Sequence, residues 1–209
     1  SRGLVDVYKR QFMNSEKLKK HMRCLFTYGG MYLVSNSNLL YHGCIPMKKD
    51  GTFEGMMYKG ELLTGKKLMD HIDRKVQNAY FLPEGHEEKE DARDFMWYLW
   101  CGAKSPVFGK DKMTTFEHYF LEDKEISKEH LNPYYQLSQK EEYCNKILAE
   151  FGLPAERSHI INGHVPVKIK DGEKPLKANG KLYIIDGGLS KAYPVSYTHL
   201  RAHETLRHL

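Results

Sequence analysis

"NLLYHGCIPM", residues 38–47, is an apolar run that ends at His42, with Gly43 directly behind it and Pro46 four places on. The same arrangement recurs in "HIINGHVPV", residues 159–167, where the run ends at Gly163-His164 and Pro166 follows. Both runs predict short buried strands. The glycines let the backbone turn sharply, and the prolines stiffen the loops beyond. Strands that end this way would carry both imidazoles to the carboxyl edge of a sheet, where open α/β folds place their ligands. Neutral imidazole is a common transition-metal ligand. Two readings therefore stand for each histidine: a strand-end side chain bonded to a backbone carbonyl, or a ligand aimed at a shared ion.

Outward from these runs the chain reads as strands, then helices, then strands, which points to a single α/β domain. Residues 12–26 have a helical pattern, and Met31–Val34 reads as a strand paired to Asn38–Tyr41 through a turn-rich Ser-Asn-Ser. Met69, Ile72, Val76 and Tyr80 recur every three or four residues and predict an amphipathic helix, with His71 expected on its solvated face beside Lys67, Arg74 and Lys75. A second helix starts in the acidic "EEKEDARD", where carboxylates favour the positive end of the helix dipole. Its apolar stripe of Ala92, Phe95, Met96, Leu99 and Trp100 is expected in the core. Ser138 and Glu141 have the spacing of a capping box for a third helix, closed by Gly152 and Pro154. "SHIING", "VPVKI" and "KLYIID" then read as three short β runs.

Composition is that of a globular protein, 41% hydrophobic and 28% charged. The longest apolar run, Phe95 to Ala103, is too short to span a bilayer, and no secretory leader is evident at the start. The four cysteines stand singly, which argues against a zinc knuckle or disulfide framework and favours a reducing, cytoplasmic setting. Residues 1–11 and 195–209 resemble translated sequencing-adapter DNA and are set aside from fold reasoning. Removing them lowers the net charge from +5 to +2, so basicity is no argument for nucleic acid. Residues 12–194 are then expected to be an internal portion of a longer protein.

"WCGAKSPVFGKDKM", residues 100–113, gathers Lys104, Lys110 and Lys112 around two glycines. It is not a P-loop: six residues separate Gly102 from Gly109, and Asp111 stands where Ser or Thr is needed. A flexible basic loop could still grip a phosphate. Asp186 reads as the first residue of a turn. No Ser-His-Asp order, nucleophile elbow or cysteine nucleophile is visible.

"LLYHGCIPM", "MWYLWCGAKSPVFGKDKMTTFEHYF" and "HIINGHVPVKIKDGEKPLKANGKLYIIDGGLSKAY" resemble class III fructose-1,6-bisphosphatase, a bacterial branch of the calcineurin-like metallophosphoesterases, over about Phe12 to Tyr193. The resemblance implies an α/β fold, the C-terminal part of a metallophosphoesterase β-sandwich flanked by helices, with a helical insert from about Lys59 to Asn132. It implies two Mn2+ ions in the complete enzyme, with His42 and His164 as ligands to one of them. It also implies hydrolysis of fructose 1,6-bisphosphate to fructose 6-phosphate, in gluconeogenesis, by attack of a metal-held hydroxide. The D-x-H, G-D-x-x-D-R-G and G-N-H-E motifs of the superfamily are absent, so no catalytic acid is expected in this chain. Lys104, Lys110 and Lys112 are expected contacts for a substrate phosphate. The partner is then a small sugar bisphosphate, with neither nucleic acid nor membrane involved. The alternatives are another calcineurin-like phosphatase, acting on phosphoproteins or dinucleoside polyphosphates, or a non-catalytic metal-binding module.

Overall fold

The computed structural model describes residues 2–114, 128–167 and 172–186. Two helices, α1 (Arg2–Asn14) and α2 (Glu16–Tyr28), open the chain. The single helix expected over residues 12–26 is broken at Ser15, whose side chain caps α2 by accepting from the Leu18 N–H. Strands β1 (Tyr32–Ser35) and β2 (Asn38–Tyr41) form an antiparallel hairpin. Its two turn residues, Asn36 and Ser37, both have positive φ, as a tight hairpin turn requires. A second hairpin, β3 (Gly55–Tyr58) and β4 (Glu61–Thr64), leads into α3 (Gly65–Phe81) and α4 (Glu87–Cys101). The expected helical insert therefore begins with a β-hairpin. Short α5 (Tyr134–Leu137) and α6 (Glu141–Glu150) precede β5 (His159–Asn162), β6 (Leu176–Lys177) and β7 (Leu182–Ile184). Val165–Val167 of "VPVKI" carries no strand, and Lys168 and Ile169 lie outside the described residues.

The protein is mixed α/β, and its main sheet has the order β1-β2-β5-β7-β6. The β2–β5 and β5–β7 pairs are parallel; the outer pairs are antiparallel. Alternation sorts the central strands cleanly. Leu39, Ile160 and Leu182 point to one face and are buried with Tyr134, Cys144, Ile147 and Leu148. Leu40 and Ile161 point the other way, onto an open depression of about 1180 Å³. A smaller cluster of Leu63, Leu68, Ile72 and Leu99 joins the second hairpin to α3 and α4. No described helix is long and apolar enough to cross a membrane.

Three expectations are corrected. Ser138 caps nothing: it ends α5, is buried, and its carbonyl accepts from the Cys144 Sγ–H, while α6 starts after Lys140 with no side-chain cap. The capping-box spacing fails because the intervening residues close one short helix before the next begins. Trp100 is 56% exposed and stacks edge-on against Trp97, 66% exposed, because both lie on the side of α4 turned away from α3. His71 is buried, 7% exposed, with its ring 4.2 Å from Tyr58 and 6.1 Å from Phe95. The β3–β4 hairpin, which helical periodicity cannot foresee, covers that side of α3.

Burial lowers the His71 pKa, and Lys75 and Arg74 push it further down against a smaller opposing effect of Asp91. The unfolded imidazole, near its ordinary value of about 6.5, therefore takes up a proton before the folded one does. Its contribution to stability is complete above about pH 6.5 and is lost as pH falls below that value. The melting temperature should drop between pH 7 and pH 5, and drop less in His71→Leu; equal slopes in a pH series of thermal melts would refute the assignment.

Candidate functional site

The β2–β5 register sets Leu39 beside Ile160 and Leu40 beside Ile161, so the two parallel strands run out at the same height. The pairing continues one step past both ends, where the Gly163 N–H donates to the His42 carbonyl at 2.9 Å. His42 and His164, 122 residues apart, then meet edge to face, with His42 Nε2 3.1 Å from His164 Nδ1 and the rings at 74°. Both line the open depression.

Residues 102–114, which follow α4, brace the pair. His164 Nε2 lies 2.9 Å from the Phe108 carbonyl, which can only accept, so that nitrogen carries the proton and Nδ1 presents a lone pair. The Pro106 carbonyl accepts from the Cys44 N–H at 2.9 Å. His164 itself has φ +71 and is the centre of a γ-turn closed by Val165 N–H to the Gly163 carbonyl at 2.9 Å, a strained conformation for a non-glycine residue. Burial lowers the His42 pKa, His164 lowers it further, and Asp186 partly opposes the shift, so this imidazole is neutral at pH 7. Cys44, under the same turn, is no ligand: burial pushes its thiol up to about 12.

The spacing suits one ion. Two metal–nitrogen bonds of about 2.0–2.1 Å, opened between a right angle and a tetrahedral angle, hold their nitrogens about 2.9–3.4 Å apart. The pair is an incomplete set, because no group of three or more His, Cys, Asp or Glu side chains among the described residues could hold a metal.

The carbonyl-bonded reading of a strand-end histidine holds for His164, which bonds the Phe108 carbonyl through one nitrogen and turns the other on His42. Lys104, Lys110 and Lys112 belong to the bracing loop but do not line the histidine depression. Lys104 faces Glu54 at 4.0 Å, Lys110 donates to Glu129 at 2.7 Å, and Lys112 lies near Asp111, which pairs with His130 at 2.9 Å. The start of the loop is firmly held rather than flexible. Ser105 Oγ donates to the Leu99 carbonyl and accepts from the Val107 and Phe108 N–H groups. Asp186, just past β7, lines the depression with the histidines.

Sequence reasoning missed the polar cluster beneath the turns. Asn162 Nδ2 donates to the Gly43 carbonyl at 3.2 Å and to Tyr134 Oη at 2.8 Å, and Tyr134 Oη is 2.7 Å from Tyr41 Oη. An asparagine at an inward position of an apolar strand was the available signal.

A family profile described as "Firmicute fructose-1,6-bisphosphatase" matches residues 2–200, and the chain belongs to that family. It is 60% identical over 192 residues to a fructose-1,6-bisphosphatase class 3 of Bacteroides thetaiotaomicron, covering 92% of this chain and 29% of that protein. Proteins of the same description from Bacteroides fragilis and Clostridium botulinum are 57% and 54% identical over 190 and 192 residues, covering 91% and 92% of this chain and 29% of each relative. The chain thus spans 29% of the length of these curated relatives. No solved structure matches it.

The two glycines of the site differ in a measurable way. A Cβ on Gly43 would sit 2.2 Å from the Pro106 carbonyl oxygen, whereas one on Gly163 would meet nothing nearer than 3.6 Å. Gly43→Ala should cost about 1–3 kcal/mol through overpacking, and Gly163→Ala much less. Denaturant midpoints measured side by side would show this, and equal losses would contradict the close loop contact.

Proposed function

We propose that this chain is part of a metal-dependent sugar bisphosphatase that releases one phosphate from fructose 1,6-bisphosphate, with His42 and His164 holding one Mn2+ ion through Nε2 and Nδ1. The observation that carries the reading is the histidine pair. Two side chains 122 residues apart meet at 3.1 Å on adjacent parallel strand ends, one in a strained γ-turn. The names borne by relatives 54–60% identical support this choice of substrate.

The chain's own residues do four things in this account. Phe108 fixes the His164 tautomer so that Nδ1 faces the ion, as outer-shell carbonyls do for metal-bound histidines. Burial keeps His42 neutral and so able to bind a cation near pH 7. Gly43 lets the bracing loop approach, and Leu40 and Ile161 supply apolar walls to the depression beside the pair. When bound, the metal supplies charge neutralisation on the phosphate oxygens and a more acidic water. The remaining ligands and the acid that protonates the leaving alcohol lie outside these residues, within a calcineurin-like fold in the full-length protein. Lys104 is the loop lysine best disposed for a second phosphate, since its carboxylate partner is the most distant of the measured loop pairs. The four free thiols accord with a reducing cytoplasm.

Phosphate release is the test. Screened over sugar bisphosphates, phosphopeptides and dinucleoside polyphosphates with Mn2+ present, a full-length protein carrying this segment should act on fructose 1,6-bisphosphate. His42→Ala or His164→Ala in it should lower kcat/KM by about 100-fold or more, the upper range for disturbing a metal ligand shell. The chain alone should release no phosphate. Preference for phosphopeptides, or full activity in either histidine variant, would sink the proposal.

A further inference from the structure

The turn at His42-Gly43 and the turn at Gly163-His164 are joined by two hydrogen bonds besides the imidazole contact. One is backbone to backbone, Gly163 N–H to the His42 carbonyl at 2.9 Å. The other is made by a side chain, Asn162 Nδ2 to the Gly43 carbonyl at 3.2 Å. A carbonyl can only accept, which fixes the orientation of the Asn162 amide. The second hydrogen of that amide goes to Tyr134 Oη at 2.8 Å, and Tyr134 shares its hydroxyl with Tyr41 at 2.7 Å. Tyr134 is completely buried and Asn162 nearly so. Tyr134 is fixed in turn through Asn132, whose Oδ1 accepts from the Tyr134 and Met47 N–H groups at 3.0 and 3.1 Å. The core therefore holds Asn162, and Asn162 holds both turns.

We propose that Asn162 is a positioning residue, setting the spacing and mutual orientation of the His42–His164 pair through Gly43 and through its own place two residues before His164. This rests on the reading of that pair as ligands, and it adds a role for a residue that touches neither metal nor substrate. Asn162 Oδ1 has no hydrogen-bond partner although it is buried. Packing alone would be better served by an apolar side chain there, so the two Nδ2 bonds account for the amide.

Two measurements on the full chain at fixed pH test this. Long-range proton–nitrogen spectra of the imidazoles report tautomers without any metal, and loss of the free Mn2+ resonance signal on titration reports affinity. In the unsubstituted chain His164 should be a single Nε2–H tautomer. Asn162→Ala should mix its tautomers and weaken Mn2+ binding by about 10- to 100-fold, the range for outer-shell changes. Tyr134→Phe should move both readouts the same way by less. Ile147→Val, a core change away from the turns, should move neither. An unmixed His164 tautomer together with unaltered affinity in Asn162→Ala would overturn the inference. If the unsubstituted chain, with its incomplete ligand set, binds no Mn2+, the tautomers alone decide the role of Asn162, and the ligand reading is decided by the histidine variants of the full-length protein. If Asn162→Ala fails to fold, Tyr134→Phe decides.

Discussion

The parallel pairing of β2 with β5 is the constraint on which this structure depends. Side chains alternate along a strand, so a slip of β5 by one residue would set Leu39 beside Ile161 and turn Ile160 out of the core. It would also separate the two histidine turns, which meet only because both strands run out together. The register is held from beneath. Tyr134 is buried under both strands and bonds residues of each, Tyr41 on one and Asn162 on the other. The core and the site are therefore one object: the polar atoms that would be costly to bury alone are paired across the strands that must align.

Strain and bracing are similarly linked. A positive φ at His164 costs roughly 1–3 kcal/mol unless the surroundings over-determine it. They do so here. Gly163 bonds back to His42, Val165 closes the γ-turn, and Phe108 holds the imidazole. Phe108 reaches it because Ser105 ties the loop to the end of α4 and because Gly43 has no side chain to keep Pro106 away. The basic loop of residues 100–113 thus acts in this chain first as a clamp. Its Lys104 and Lys110 meet Glu54 and Glu129, while its Pro106 and Phe108 carbonyls meet the two histidine turns.

Much of this was legible in the residues, and the exceptions share a cause. β2 has the bounds expected for Asn38–Tyr41, β5 lies within "SHIING", and the spacing of Met69, Ile72 and Val76 located α3. The convergence of His42 with His164 could be expected from their matched surroundings, although no periodicity encodes a contact across 122 residues. Local pattern failed where a partner element decided the outcome. His71 sits on a face of α3 that is polar by composition, yet the β3–β4 hairpin covers it. Trp100 continues an apolar stripe that α3 does not reach, and Ser138 has capping spacing in a stretch that folds as two helices. Asn162 stands out as a polar residue in an apolar strand, but its partners could not be read locally, since Tyr134 and Gly43 are far away in the chain.

What the pair offers also explains what it needs. Two imidazoles supply direction but no negative charge, and Mn2+ is a cation that favours oxygen donors alongside nitrogen. Among the described residues Asp186 lines the same depression and opposes the lowering of the His42 pKa, without forming a three-ligand group. On the proposed reading the carboxylates that bridge and balance two ions come from elsewhere in a protein of the relatives' length. The residues here then serve as the rigid, uncharged half of the centre. That division suits the chemistry. Neutral ligands leave the ion's charge free to act on phosphate, and a tautomer locked by Phe108 keeps the nitrogen aimed when no ion is bound.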